Sequence, residues 1–252
     1  MHNIVVWWHC PAIPLSFYGA FMPSCFAAMA RQHRGTDMRT IILVSQKGGV
    51  GKSSICASLA VAASQAGEKV AALDLDPQGS LAAWGHAREA DAPAVDRLPA
   101  DRLGDLPQIL DALKGQGFTL AVLDTAGVAS TVGNLAMQAA TLALVPARPS
   151  KLDLQATMPT IETLMRLGMR ERFAFVLNQC PPGRSSARTT EAANGLGMFG
   201  VLAEPTLTLR ADHQDAIAAG QGVTEYAADG KAADEIRALW TWADRKMKGN
   251  EK

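Results

Sequence analysis

Within eight residues, Lys47 to Ser54 (KGGVGKSS), the chain places two lysines, three glycines and two hydroxyl side chains. That combination suits a phosphate. Gly48, Gly49 and Gly51 let the backbone approach closely, and N–H groups around Val50 can turn inward. A following helix would add the positive end of its dipole. Lys52 is placed to reach β- and γ-phosphates, and Ser53, followed by Ser54, offers a hydroxyl to Mg2+. The common P-loop pattern has glycine where Gln46 stands here, and an extra lysine, Lys47, precedes the glycines instead. Carboxylates follow at two further places, Asp74 and Asp76 in ALDLDPQGS and Asp124 in AVLDTAG.

The elements that must hold these groups can be read from apolar periodicity. Ile41 to Val44 reads as a buried strand and Ile55 to Ala63 as a helix, ended by Gly67. VAALDL is a second strand, so Asp74 and Asp76 fall at its C-terminal end, where doubly wound sheets bind ligands. They are expected to take different jobs. Residues 86 to 117 contain three prolines and predict a connection or edge strand, then a helix from about Leu106 to Lys114. Phe118 to Leu123 is an apolar strand ending in Asp124, the pattern of a Walker B carboxylate that holds Mg2+ through water. Strands are also expected at Leu142–Pro146 and Phe173–Leu177, separated by a helix over Leu152–Leu167. Leu154, Met158, Ile161, Leu164, Met165 and Leu167 recur at helical spacing and are expected in the core. A last helix from about Lys231 to Met247 gathers Ile236, Leu239, Trp240, Ala243 and Met247 on one face, the pattern of a helix packed on an open sheet. Together these predict an α/β fold, a doubly wound, mostly parallel sheet with helices on both faces.

Bulk composition narrows the classes. The 252 residues are 48% hydrophobic and 19% charged, enough for one α/β core, and the formal net charge is zero. No global field draws the chain to nucleic acid, so DNA binding would need a local basic patch. Cys10, Cys25, Cys56 and Cys180 lack CxxC spacing, which fits a reducing cytoplasm rather than a disulfide framework or zinc site. It also speaks against an iron–sulfur protein. Residues 1–37 differ from the rest: three prolines, adjacent tryptophans, no period, no basic n-region before Arg31 and no apolar run of membrane-spanning length. They are expected to be disordered or loosely packed, an extension of residues 38–252 or a translation start set too early, with Met38 the true one. A genuine tail or membrane-associating leader is the alternative.

KGGVGKSS resembles the deviant Walker A motif of the ParA/MinD family of P-loop ATPases, KGG-x-GK-[ST]. The DLDPQG stretch and the DTAG ending after Asp124 match that family's next two motifs in order. The resemblance implies ATP and Mg2+ as ligands. It gives Lys47 a role in trans, reaching the nucleotide of a second copy, and Lys52 and Ser53 the roles in cis. Asp76 would position the attacking water, and Asp74 would serve the Mg2+ neighbourhood or the loop's structure. Thr125 and Gly127 would form a switch loop, Asn178 would read the adenine edge, and Pro205 would flank the base. Arg210, in LTLRADHQDAIAAGQGVTEY, and Arg184 and Arg188, around a helix start, match regions that contribute to nonspecific DNA binding in relatives.

The function so implied is ATP-dependent DNA partition. A nucleotide-dependent homodimer would bind double-stranded DNA nonspecifically and be released by slow hydrolysis stimulated by a ParB-like, centromere-binding adaptor, in the cytoplasm and on the nucleoid. The 37 leading residues leave no room for a helix-turn-helix domain, which points to the small plasmid type. Two alternatives stand beside it: a MinD-like membrane-cycling positioning ATPase using the last helix, and a nucleotide-binding module that no longer hydrolyses ATP.

Overall fold

In the computed structural model, residues 38–127, 131–183 and 186–249 are described. The expectations for residues 1–37 and for Arg184 lie outside them. Strand β1 (Arg39–Leu43) leads through the glycine-rich loop into α1 (Lys52–Gln65), then β2 (Val70–Asp74), α2 (Ser80–His86) and β3 (Ala94–Arg97). A 3-10 turn precedes α3 (Leu106–Gly115), β4 (Leu120–Asp124), α4 (Thr131–Ala139), β5 (Leu142–Ala147) and α5 (Lys151–Arg166). The chain continues with β6 (Phe173–Leu177), α6 (Ala187–Gly197), β7 (Val201–Leu202), α7 (Ala211–Ala218), α8 (Val223–Tyr226) and α9 (Lys231–Gly249).

The described strands form one seven-stranded sheet in the order β3-β2-β4-β1-β5-β6-β7, every pair parallel. β1 is central, with Ile41 in register with Val122 on one side and Leu142 on the other. The chain winds outward from β1 in both directions, so the carboxyl ends of β1, β2, β4, β5 and β6 open onto one crevice at the switch point. Both faces are covered, which is why the strands read as continuous apolar runs rather than alternating ones.

Side-chain alternation divides the core in two. Ile41 and Leu43 face one layer with α1, α9 and the α7–α8 segment. Ile42 and Val44 face the other with α3, α4, α5 and α6. From Ile55 to Ala63 every residue of α1 is buried, because sheet, α8 and α9 surround it. Its alanines permit that close approach, and so does Gly222, whose added Cβ would stand 2.7 Å from Val61 Cβ.

On α9, Ile236, Leu239, Trp240, Ala243 and Met247 are all buried, as the periodicity predicts, and Trp242 packs at the margin. One core expectation fails. Met165 is 37% exposed while Leu164 beside it is fully buried. A helix offers only one apolar stripe to its neighbour, and three apolar residues within four positions cannot all lie on it.

Candidate nucleotide site

The glycine-rich loop turns from β1 into α1 through left-handed conformations at Gly49 (φ 73°) and Gly51 (φ 92°). Val50 is buried as a peg beneath it, and Lys47 stands exposed on its outer rim. Gly51 has a second reason to lack a side chain: an added Cβ would lie 2.3 Å from Asn178 Nδ2. Asn178, at the end of β6, donates that Nδ2 to the Val50 carbonyl at 2.8 Å, and Gln179 Nε2 donates to Gly49 O at 3.2 Å. Gln179 takes φ 54°, unusual for a residue with a side chain, so that both amides face the loop.

Lys52 opens α1 and is nearly buried, and a Cβ on Gly127 would stand 3.6 Å from its Nζ. Asp124 is completely buried at the end of β4, and neither carboxylate oxygen has a hydrogen-bond partner. Burial pushes its pKa up to about 7. The neighbouring Ser53 hydroxyl and Lys52 pull it down, and the charges of Asp74 and Asp76 push it further up. An orphaned buried carboxylate is costly, and a cation is what relieves it. Beside a serine hydroxyl it fits Mg2+, which binds through one or two protein oxygens plus phosphate and water. No group of three or more His, Cys, Asp or Glu fit to hold a metal occurs among the described residues. A magnesium ion shared with a triphosphate needs none. Thr125 Oγ1 donates to Leu43 O at 2.7 Å and pins the start of the loop after β4 to β1.

The two carboxylates separate because β2 ends at Asp74: two residues further on, Asp76 has left the strand, on which it would have shared the side of Asp74. Asp74 is buried, and its oxygens accept from Asp76 N at 2.9 Å and Ala82 N at 2.8 Å. These two bonds fasten the turn that follows β2. Asp76 is half-buried, accepts from Gln78 N at 2.9 Å, and lines a cleft of about 510 Å3 together with Lys52, Ser53 and Gly127.

That cleft shares Gly51 and Ser54 with a smaller pocket of about 90 Å3, bounded by Asn178, Gln179, Leu209, Arg210 and His213. The structure places two of the expected residues around this pocket. Pro205, joined to Glu204 by a cis peptide, lies outside this wall. The wall is built by residues 207–210, which pair beside the end of β6: Cys180 N donates to Leu207 O at 3.0 Å and Leu209 N to Cys180 O at 2.8 Å. Leu209, 53% exposed, is the apolar residue at the mouth. Arg210 is not a free surface cation. Its Nη2 donates to Glu235 Oε1 at 2.8 Å, Thr208 braces the same carboxylate through its N–H and hydroxyl, and its buried Nε faces no partner. His213 turns an equally unpartnered buried Nε2 into this region, and burial lowers its pKa, keeping it neutral. Arg188 is exposed on α6. Leu209, Gln179 and His213 carry no local motif, and only the non-local pairing to β6 reveals them.

A separate cavity of about 400 Å3 on the opposite layer, walled by Leu75, Leu103 and Met137, has no charged side chain in its lining. On the rim near Lys47, Ser150 caps α5 by accepting from Asp153 N at 3.1 Å. Burial raises the pKa of Asp153, but the Ser150 hydroxyl, Arg148 and the charge of Lys47 outweigh it and hold the carboxyl below its ordinary range.

A parallel sheet with this cradle, a buried carboxylate beside the loop serine and a second lysine ahead of the glycines defines a P-loop nucleotide-binding protein of the deviant type. Residues 41–214 match the model of the CobQ/CobB/MinD/ParA nucleotide binding domain, and the chain belongs to that family of ATPases. Maintenance of carboxysome distribution protein A of Halothiobacillus neapolitanus is 30% identical over 210 residues, covering 79% of this chain and 94% of that protein. Protein IncC of Escherichia coli is 25% identical, covering 91% of this chain and 75% of that protein. Among solved structures, apo McdA of Cyanthece superposes with a TM-score of 0.66 at 16% identity, over 83% of this chain and 99% of that one. MinD of Pyrococcus horikoshii with Mg-ADP gives 0.65 at 21% identity, over 85% and 99%.

Proposed function

We propose that the protein is a ParA-type partition ATPase, which hydrolyses ATP slowly and uses its ATP-bound dimer to hold a cargo on nonspecific DNA. One observation carries this reading: Lys52, Asp76 and the orphaned carboxylate of Asp124 converge on the glycine cradle while Lys47 stays exposed on its rim. A lysine with no phosphate of its own to meet is suited to the phosphate of a second copy.

In the mechanism we infer, the triphosphate lies along the N–H groups of the loop, and Lys52 offsets charge developing on its oxygens. Mg2+, held by Ser53 and Asp124, would supply further charge neutralisation there. Asp76 orients the attacking water, with Gln78 N fixing one of its carboxylate oxygens. Asn178 donates its Nδ2 to Val50 O and so offers the oxygen of its amide to the base, an acceptor that suits the amino group of adenine. Lys47 of each copy reaches the phosphates of the other and makes dimerisation conditional on ATP.

For DNA, Arg188, with Arg184 just before it, is the contact we propose, doubled across the dimer. Arg210 is not proposed, because Glu235 holds it. The membrane-cycling alternative is disfavoured by α9, whose apolar face is spent on the core. Among the described residues no helix is long and apolar enough to cross a membrane. The name of one relative, maintenance of carboxysome distribution protein A, points to a cargo other than DNA. The adaptor we propose is a ParB-like or other cargo-bound partner.

The test is retention on nonspecific duplex DNA with ATP, with ADP and with Lys52→Ala, at low and raised salt. Retention that needs ATP, fails in the variant and weakens with salt is the expected result. Retention indifferent to nucleotide, or none in any state, sinks the DNA reading. Phosphate release measured alongside decides against a module that binds ATP without hydrolysing it.

A further inference from the structure

Arg97 ends the edge strand β3 and stands opposite Asp74 in the β2–β3 register. Its guanidinium reaches beyond the strand and donates from Nη2 to the Pro77 carbonyl at 2.6 Å. The same group lies against Gly79, where an added Cβ would meet Nη1 at 3.3 Å and Cζ at 3.4 Å. Gly79 has φ 69° and starts α2, so that contact braces the point where the loop becomes a helix. On the inner side, Asp74 accepts from Asp76 N, Asp76 accepts from Gln78 N, and Gly79 N donates to Asp76 O at 2.9 Å. The loop from Asp76 to Gly79 is thus held from within by Asp74 and from without by Arg97.

We propose that Arg97 is a positioning residue for ATP hydrolysis, an outer clamp that keeps the Asp76 carboxylate where it can orient water. The proposal rests on the role given to Asp76 above. Arg97 is exposed and touches neither the glycine cradle nor the smaller pocket beside Asn178, so its loss leaves the core and the proposed nucleotide contacts in place. Only a planar guanidinium can donate to Pro77 O and present a flat face to Gly79 at once. Lysine could keep the first contact and not the second. Catalytic geometry tolerates little drift, with about 100-fold lost for a displacement of about 1 Å.

The experiment compares wild type, Arg97→Ala, Arg97→Lys and Asp76→Ala by phosphate release, by titration with a fluorescent ATP analogue and by thermal melting. Arg97→Ala is expected to lower kcat about 10-fold with KM, analogue affinity and melting temperature unchanged, and Arg97→Lys to recover part of the loss. Wild-type turnover in both Arg97 variants overturns the proposal. So does a loss of turnover matched by lost affinity or lost thermal stability, which would make Arg97 a plain structural group. A wild type that does not hydrolyse ATP, or Asp76→Ala as active as wild type, overturns the Asp76 assignment and takes the clamp with it.

Discussion

At the proposed site, Asp124 shows what waiting for a cation costs a protein. A fully buried carboxylate without a partner is held against its own solvation, and its pKa of about 7 records that. Asp124→Asn is therefore expected to raise the stability of the nucleotide-free protein by about 1–2 kcal/mol while removing Mg2+-dependent ATP turnover. Melting curves without nucleotide, together with phosphate release, check both halves; a variant that melts lower would contradict the strain assigned here. Gly51→Ala is expected to weaken ATP binding at least ~10-fold and to destabilise by more than about 1 kcal/mol. Its φ of 92° disfavours any side chain, and the new methyl collides with Asn178. Analogue titration reads the first effect and denaturant melts the second. The roles proposed for Lys52 and Ser53 are readable from motif alone, since their chemistry depends on a loop built within a few residues. The smaller pocket beside Asn178 is not: Leu209 and Arg210 reach it through backbone pairing with Cys180, some thirty positions earlier, and no local pattern announces such pairing.

Among the elements, the strands and major helices follow from apolar runs and helical spacing because both faces of the sheet are covered. The short α7 and α8 are less readable, being tied down by side chains from elsewhere. Arg88 shows how: it packs over the Trp84 ring, donates to Gly220 O at 3.2 Å and Ala92 O at 2.5 Å, and forks onto Glu225 at 3.0 Å. Burial raises the Glu225 carboxyl, but hydrogen bonds from Arg88 and from Gly222 N outweigh it, so its pKa lies below the ordinary 4.5. A depressed carboxylate stabilises the fold fully above its unfolded value and loses that contribution as pH falls through the folded one. Stability should decline in acid below about pH 4.5, and Glu225→Gln should flatten part of that decline while lowering stability at neutral pH. Denaturant melts at stepped pH would show it; an unchanged slope would mean that the pair is not the titrating element.

At the scale of the whole molecule, the exposed Lys47 predicts that ATP, not concentration alone, makes the dimer. Asp76→Ala with ATP should run as a dimer in light scattering, and the same chain with Lys47→Ala should stay monomeric while still binding the nucleotide analogue. A dimer formed equally without Lys47 would place the interface elsewhere. A further consequence follows from the way α2 is fastened. Asp74 holds its first turn, while Trp84 Nε1 donates to Gln221 O at 3.0 Å and Arg88 grips Gly220 and Glu225 from just past its end. The backbone of residues 220–225 thereby becomes a remote gauge of the loop at Asp76, without touching a phosphate. Deuterium uptake at those amides should slow when ATP is bound, a signal of the nucleotide state that could be followed in the intact protein without labelling the site itself.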